Sequence, residues 1–402
     1  MQKKHIQKNY VLGILNGILM NLADSLTGSS TILPLYLSTL TRSSVIIGLG
    51  SSFHDALWPL PQIFMAFFLE GKPFKKFIYD QTALIRSLMM FTLAFVIILN
   101  PSNILWIFIF VLFIFHIFGG IAGLSFMDII AKTISPKKLT SFWGLRVAIG
   151  GIISIGAGFA VKLILNKYPY PFNFYLIFIS AAIIVSVGLF SFCLAEEPRD
   201  SVQKKTKSFL TFFTDGVRLL SKDRNFKYLY FIRMQLGVTA ALEPFYMIYA
   251  IRILSMNPAN VGFMIAARMA GLVSSNFLWN LIVNKKSIRH VLVAASVIGS
   301  ILPTLAFFSK YNSAILYLLF FFAGIFYSGI QVGSPSLLLI IAPEVKRPTY
   351  IGFFNTMIAP VYFISILHGA LIDIFSFSVP FILASISSLV ALFAAMKLRK
   401  MN

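Results

Sequence analysis

The sequence predicts an all-α integral membrane protein, with twelve transmembrane helices arranged as two six-helix bundles. Three observations carry that expectation. The chain is 58% hydrophobic and 12% charged over 402 residues, against about 45–50% apolar and about 25% charged in soluble domains. Its apolar residues run in stretches of roughly 20 or more, the length that crosses a bilayer core as a helix. Short motifs of the first half also recur, in order, in the second half. The composition excludes a soluble enzyme, a disordered chain and a nucleic-acid-binding domain, because too few polar residues exist to cover a soluble surface.

Twelve stretches meet the length requirement: 10–40, 44–69, 78–99, 104–130, 141–165, 173–195, 226–253, 257–283, 288–308, 313–341, 348–373 and 377–397. They leave no loop large enough for a soluble domain. Unbroken runs such as Trp106 to Ile114 lack the alternation of a barrel strand. The basic tail Met1 to Asn9 precedes span 1 as in a signal peptide. The apolar run that follows has no small-residue cleavage site, so it reads as a retained first span. Cys193 is the one cysteine, which excludes an intrachain disulfide framework and Cys-rich metal sites. Neither a metal nor a cofactor is expected.

Charge placement orients the spans. Of the 34 Lys and Arg, 25 lie in or beside the tails and loops on the side of the N-terminus. Arg42, Lys162, Lys167, Arg252 and Lys310 lie on the other side, and Arg86, Arg146, Arg233 and Arg268 fall inside spans. Cytoplasmic loops carry the excess of Lys and Arg. Both termini and the loop 196–225 are therefore expected in the cytoplasm, and the chain in the cytoplasmic (inner) membrane. The net charge of +21 is then a topology signal with affinity for anionic lipid. Basic residues spread over seven segments make no nucleic-acid-binding face. The expected organisation is a bundle over 1–195, a linker over 196–225 opening at Glu196-Glu197-Pro198, and a bundle over 226–402. The linker contains a candidate amphipathic helix near Phe209 to Leu220.

The halves match at a nearly constant offset. Ile47-Gly48 opens span 2, with Glu70 22 residues and Lys75 27 residues after the glycine. Val261-Gly262 opens span 8, with Asn284 and Arg289 at the same two intervals. Pro34-Leu35-Tyr36 in span 1 corresponds to Pro244-Phe245-Tyr246 in span 7, 210 residues on. Pro136 and Pro343 each stand eight or nine residues before a helix glycine, Gly144 and Gly352. Parallel six-span repeats are a transporter architecture.

Six plus six spans with cytoplasmic ends resemble the major facilitator superfamily, over essentially the whole chain. The loop Ala66-Phe67-Phe68-Leu69-Glu70-Gly71-Lys72-Pro73-Phe74-Lys75-Lys76 is similar to that family's motif between spans 2 and 3. Glu70 stands for the usual Asp, and Lys75 falls on the basic cluster. The second copy, Asn280 to Arg289, has Asn284 at the acid, and both copies lack the leading glycine. Gly144, Gly150, Gly151, Gly156 and Gly158 reproduce part of the family's glycine-rich exporter motif in span 5, without its proline. The resemblance implies a transporter in which two bundles rock about a midplane site and spans 1, 4, 7 and 10 line a cavity. It also implies a cytoplasmic gate built from Glu70, Lys75, Asp128 and Arg146, with Asn284 and Arg289 in the second copy. A solvated interfacial ion pair worth under ~1 kcal/mol is the plain alternative for those charges.

Ionisable groups at mid-bilayer are costly unless they face the bundle interior and find a partner. Asp24, Asp55, Glu243 and Arg268 all fall near the midplane, Asp24 about 21 Å along its span at 1.5 Å per residue. Helical spacing aligns Asn21, Asp24, Ser25 and Gly28 on span 1 and Gln235, Thr239, Glu243 and Tyr246 on span 7. Ser51, Asp55, Trp58 and Gln62 align on span 2, and Tyr327, Gln331 and Ser334 on span 10. The candidate substrate- and proton-binding residues are thus Asn21, Asp24, Asp55, Gln235, Thr239, Glu243, Tyr246, Arg268 and Gln331. Arg268 is expected to pair with Glu243 or Asp24; a static ion-paired lock is the other reading of these charges. His54 and Asp55, adjacent on one helix, are expected to point apart. Pro34 and Pro244 free the carbonyls of Ser30 and Ala240 and are candidate bending points. His368 and Asp373 match an acyltransferase spacing, but stand about 140° apart around a helix.

The function expected is secondary active transport of a small solute, coupled to protons through Asp24 or Glu243. The acid that Arg268 does not hold is the better carrier. Three midplane acids against one base favour protons or cationic solutes. A polytopic enzyme acting on lipid would need a catalytic cluster at the interface, and a sensor would need an output domain; the sequence has neither. The partners expected are a small molecule, protons and membrane lipid, with no nucleic acid, and a monomer is expected.

Overall fold

The computed structural model describes residues 2–69, 72, 74–198, 214, 217–218, 223–342 and 347–398. Among these residues there is no strand. In chain order the helices are α1 (Gln2–Leu26), α2 (Ile32–Leu40), α3 (Ser44–Leu57), α4 (Gln62–Leu69), α5 (Lys76–Leu99), α6 (Ile104–Thr133), α7 (Pro136–Lys167) and α8 (Phe172–Cys193). They continue with α9 (Arg224–Ala240), α10 (Glu243–Arg252), α11 (Val261–Lys285), α12 (Ile288–Phe308), α13 (Ile315–Ile341), α14 (Arg347–Tyr362), α15 (Ile364–Ile374) and α16 (Ser378–Met396). Among the described residues, nine helical stretches are long and apolar enough to cross a membrane. They coincide with predicted spans 3–6 and 8–12. The amphipathic helix expected near 209–220 lies outside the described residues, except for Thr214, Val217 and Arg218.

Predicted spans 1, 2 and 7 are each divided into two helices, with prolines at or just past each break. The small and hydroxylated run Thr27 to Thr31 separates α1 from α2, with Thr31 N–H and Leu33 N–H both donating to the Gly28 carbonyl at 3.1 Å. Pro34 lies in the first turn of α2 and Pro244 is the second residue of α10. A missing N–H is harmless there, because first-turn N–H groups have no helical acceptor. The expected bends at Ser30 and Ala240 are therefore full interruptions. Trp58-Pro59-Leu60-Pro61 divides α3 from α4 in the same way.

The chain groups into two compact units that do not follow the sequence halves. The first holds the described parts of Met1–Leu40, Leu57–Thr206 and Pro258–Ala266; the second holds those of Thr41–Ala56, Lys207–Asn257 and Ala267–Asn402. In the first, α1 packs on α7 and α8, and α5 packs on α6 and α8. In the second, α9 packs on α14 and α16, and α12 packs on α13 and α16. This is the same pairing six spans later. The aromatic cores repeat it: the Tyr36 ring lies 5.7 Å from that of Phe178 on α8, and the Tyr246 ring 5.5 Å from that of Phe381 on α16.

Candidate functional site

The charged centre of the second unit is built on broken or closely packed helices. The break at Ala241 and Leu242 makes Glu243 the first residue of α10, where it is 5% exposed. On α11, Arg268 is fixed by a backbone-to-backbone crossing with α13. A side chain at Gly324 would strike the Arg268 carbonyl, and one at Gly271 the Phe321 carbonyl. Arg268 Nη2 donates to Glu243 Oε2 at 3.1 Å. The guanidinium lies 5.0 Å from the Tyr327 ring centre, and Gln331 Nε2 donates to the Tyr327 hydroxyl at 3.0 Å. Glu243 Oε1 is buried with no hydrogen-bond partner among the described residues.

Asp55 reaches this centre on α3. Gly48 brings that helix against the Ser365 backbone of α15. Asp373, at the end of α15, accepts the Ser44 N–H at 2.8 Å and so caps α3. This gives Asp373 a structural role, apart from any pairing with His368. Asp55 lies within electrostatic range of both Arg268 and Arg233. Its Oδ1 lies 3.1 Å from His54 Nδ1. The expectation that the two side chains point apart is thus corrected: adjacent bases on a helix diverge, but these side chains curl back to meet. Arg233, on α9, donates to the Tyr362 hydroxyl.

The helix-stripe reading fails on span 7. Gln235 and Thr239 do not join Glu243; they tie α9 to α16. Ser387 Oγ donates to Gln235 Oε1 at 2.5 Å, and Thr239 Oγ1 donates to the Ala384 carbonyl at 2.9 Å. The reason is the break after Ala240, which ends the i, i+4 register. Tyr246 is fully buried in the aromatic core. In the first unit, Asn21 Nδ2 donates to the Gly17 carbonyl at 2.8 Å and the Arg146 carbonyl at 3.3 Å. Asp24 is exposed and within electrostatic range of Arg86, whose guanidinium carbon lies 4.7 Å from the Phe115 ring centre.

Among the described gate residues of the first unit, Lys75 and Asp128 pair while Arg146 bonds to other groups. Lys75 Nζ contacts Asp128 Oδ1 at 2.6 Å, and Lys132 Nζ bridges Asp128 Oδ2 at 2.5 Å and Glu197 Oε1 at 2.9 Å. Glu197, its side chain 2% exposed, also accepts the N–H groups of Lys75 at 2.8 Å and Lys76 at 2.7 Å. These are orphan donors at the start of α5. Glu197 had read as the opening of a solvated linker. Arg146 lies elsewhere. It donates to the Gly13 carbonyl, approaches Asn16 Oδ1 at 3.4 Å and stacks among Phe126, Phe142 and Trp143 at 4.8, 5.2 and 5.0 Å. This arginine with apolar walls is met by one backbone carbonyl and one side-chain amide oxygen in place of an acid. Arg289 donates to the Met396 carbonyl at 2.5 Å. Glu70 and the side chain of Asn284 lie outside the described residues.

The residues absent from the sequence candidates are Arg233, Tyr362 and Arg86 near the midplane charges, and Lys132 and Glu197 at the α5–α6 end; Tyr327 had been placed only on the polar face of span 10. For the arginines the signal was their position inside spans. Among the described residues, no three His, Cys, Asp or Glu side chains gather as metal ligands.

The model of the Major Facilitator Superfamily matches residues 237–401. No curated protein matches the sequence. Among solved structures, a point mutant of the nucleoside transporter NupG is similar with a TM-score of 0.75 and 15% identity, over 97% of this chain and 100% of that one. A bacterial homologue of the human drug peptide transporters PepT1 and PepT2 is similar at 0.71 and 12% identity, over 97% of each chain. A POT family transporter in complex with a thioalcohol-conjugated peptide is similar at 0.70 and 13%, over 96% of this chain and 94% of that one. The family model thus covers only residues of the chain's second half, and the all-helical, multi-pass architecture shares its fold with these solved transporters over nearly its whole length.

Proposed function

We propose that this chain is a transporter of the major facilitator superfamily, with twelve spans in two six-span bundles, and that it moves a small solute by alternating access, coupled to protons. Both termini and the loop 196–225 lie in the cytoplasm in this reading. The observation that supports coupling most directly is the buried Glu243–Arg268 pair at a helix break. A proton on Glu243 cancels the charge that holds Arg268 and lets α10 and α11 part. Glu243 Oε1, without a partner among the described residues, is an acceptor for that proton. Asp24 is the second candidate, since Arg86 lies within its electrostatic range much as Arg268 faces Glu243. The presence of a facing arginine therefore does not distinguish the two acids.

The test is uptake by proteoliposomes under an imposed pH gradient, with labelled solutes chosen from a thermal-shift screen. Wild type should accumulate solute along the gradient. Glu243→Gln should exchange solute but ignore the gradient, and Asp24→Asn serves as the parallel arm. Equal accumulation by all three proteins, with no response to the gradient, would overturn coupling.

A further inference from the structure

We infer that the solute carries an oxyanion, a carboxylate or a phosphate, and that Arg233 is its ligand. The inference rests on the reading of the second unit's charged centre as the transport site. Arg233 is 9% exposed and sits within an apolar span. A guanidinium offers five N–H donors and no acceptor. Its Nη2 is bound to the Tyr362 hydroxyl, but Nη1 is buried with no hydrogen-bond partner among the described residues. The Tyr362 ring, 5.4 Å from the guanidinium carbon, orients the group without accepting from it.

The nearby acids make their hydrogen bonds to other groups, although Asp55 lies within electrostatic range of Arg233. Asp55 Oδ1 is bound to His54, and Glu243 Oε2 is bound to Arg268. The centre thus holds two arginines and two acids, yet no carboxylate among the described residues contacts Arg233. A buried charge left in that state is costly unless something neutralises it. A planar fork fits a carboxylate or phosphate with two parallel hydrogen bonds. Counting Arg233 balances the second unit's centre at two acids and two bases, which removes the preference for cationic solutes there; the unfilled donor of Arg233 then favours an anion.

The test is thermal unfolding of the purified full-length protein in formate, acetate, benzoate, sulfate or phosphate. Controls are chloride at equal ionic strength, the uncharged acetamide and benzamide, and ethylammonium. At least one oxyanion should raise the midpoint temperature saturably while the controls do not, and the carboxylate and phosphate arms separate the two sources. Arg233→Gln should weaken the apparent affinity by about tenfold or more, the loss of a charged hydrogen bond. Arg233→Lys, which keeps the charge and loses the fork, should fall between and serves if the glutamine variant does not fold. Protection by no oxyanion, or protection unchanged in both variants, overturns the inference. So does full energetic coupling of Arg233→Gln with Asp55→Asn without anion protection, since Arg233 would then serve only Asp55. Uptake of the protecting anion is assayed separately. Protection without uptake refutes the transport reading and leaves the ligand assignment standing, whereas uptake of an uncharged solute without anion protection does the reverse.

Discussion

Arg268 and Glu243 hold each other at a place where neither is tolerable alone. Neutralising either leaves an uncompensated buried charge, which costs about 3–5 kcal/mol in buried pairs generally. Arg268→Gln and Glu243→Gln should each lower the unfolding temperature strongly. The double variant should lose clearly less than the sum, and additivity in that cycle would show that the pair is not coupled. Glu197 makes a second case. Glu197→Ala strands two N–H groups and leaves Lys132 with its Asp128 contact but without its Glu197 contact, and should cost about 1–3 kcal/mol in the same assay. The two residues differ in legibility. Glu243 and Arg268 stand out as charges deep in apolar runs, so depth alone points to them. Glu197 lies in a charged, loop-like stretch, and its burial depends on where the ends of α5 and α6 meet, which local sequence does not encode. Arg233 was visible as an in-span arginine, but its unfilled donor depends on the rotamers of His54 and Asp55.

At the scale of elements, glycines and breaks decide what the site can be. Gly324 and Gly144 give a paired test. A side chain at Gly324 meets the Arg268 backbone, whereas one at Gly144 meets nothing within 4 Å. Gly324→Leu should destabilise by at least the ~1–3 kcal/mol typical of overpacking and should disturb the Arg268 pairing. Gly144→Ala should be stabilising by about 0.5–1 kcal/mol, the ordinary helix preference for alanine. If thermal unfolding shows equal losses, the close crossing of α11 and α13 is wrong. The prolines marked spans 1 and 7 as irregular. They did not say that the helix stops, and a stopped helix is why Gln235 and Thr239 face α16 while Glu243 faces Arg268.

Over the whole molecule, the apolar runs and the repeated helix pairing were legible because each is written in composition and order. Orientation is testable at that scale. Alkaline phosphatase fused after Lys204 should be inactive and fused at Lys310 active; the reverse pattern would overturn the orientation read from the Lys and Arg distribution. The membership of 41–56 in the second unit and of 258–266 in the first was not legible. It rests on glycine contacts such as Gly158 with Gly262 and Gly48 with the Ser365 backbone, and those depend on which surfaces meet. Segments 1–205 and 206–402, produced separately, should each be degraded or aggregate, and produced together they should assemble. Stable accumulation of either one alone would contradict the interleaving. The same interleaving bears on descent. If the halves arose from one duplicated unit, a lone six-span chain would have had an arm with no seat in its own body, and two identical copies could satisfy both arms only by trading them, as domain-swapped dimers do. On that premise, joining the copies through a linker would make each trade intramolecular and independent of protein concentration.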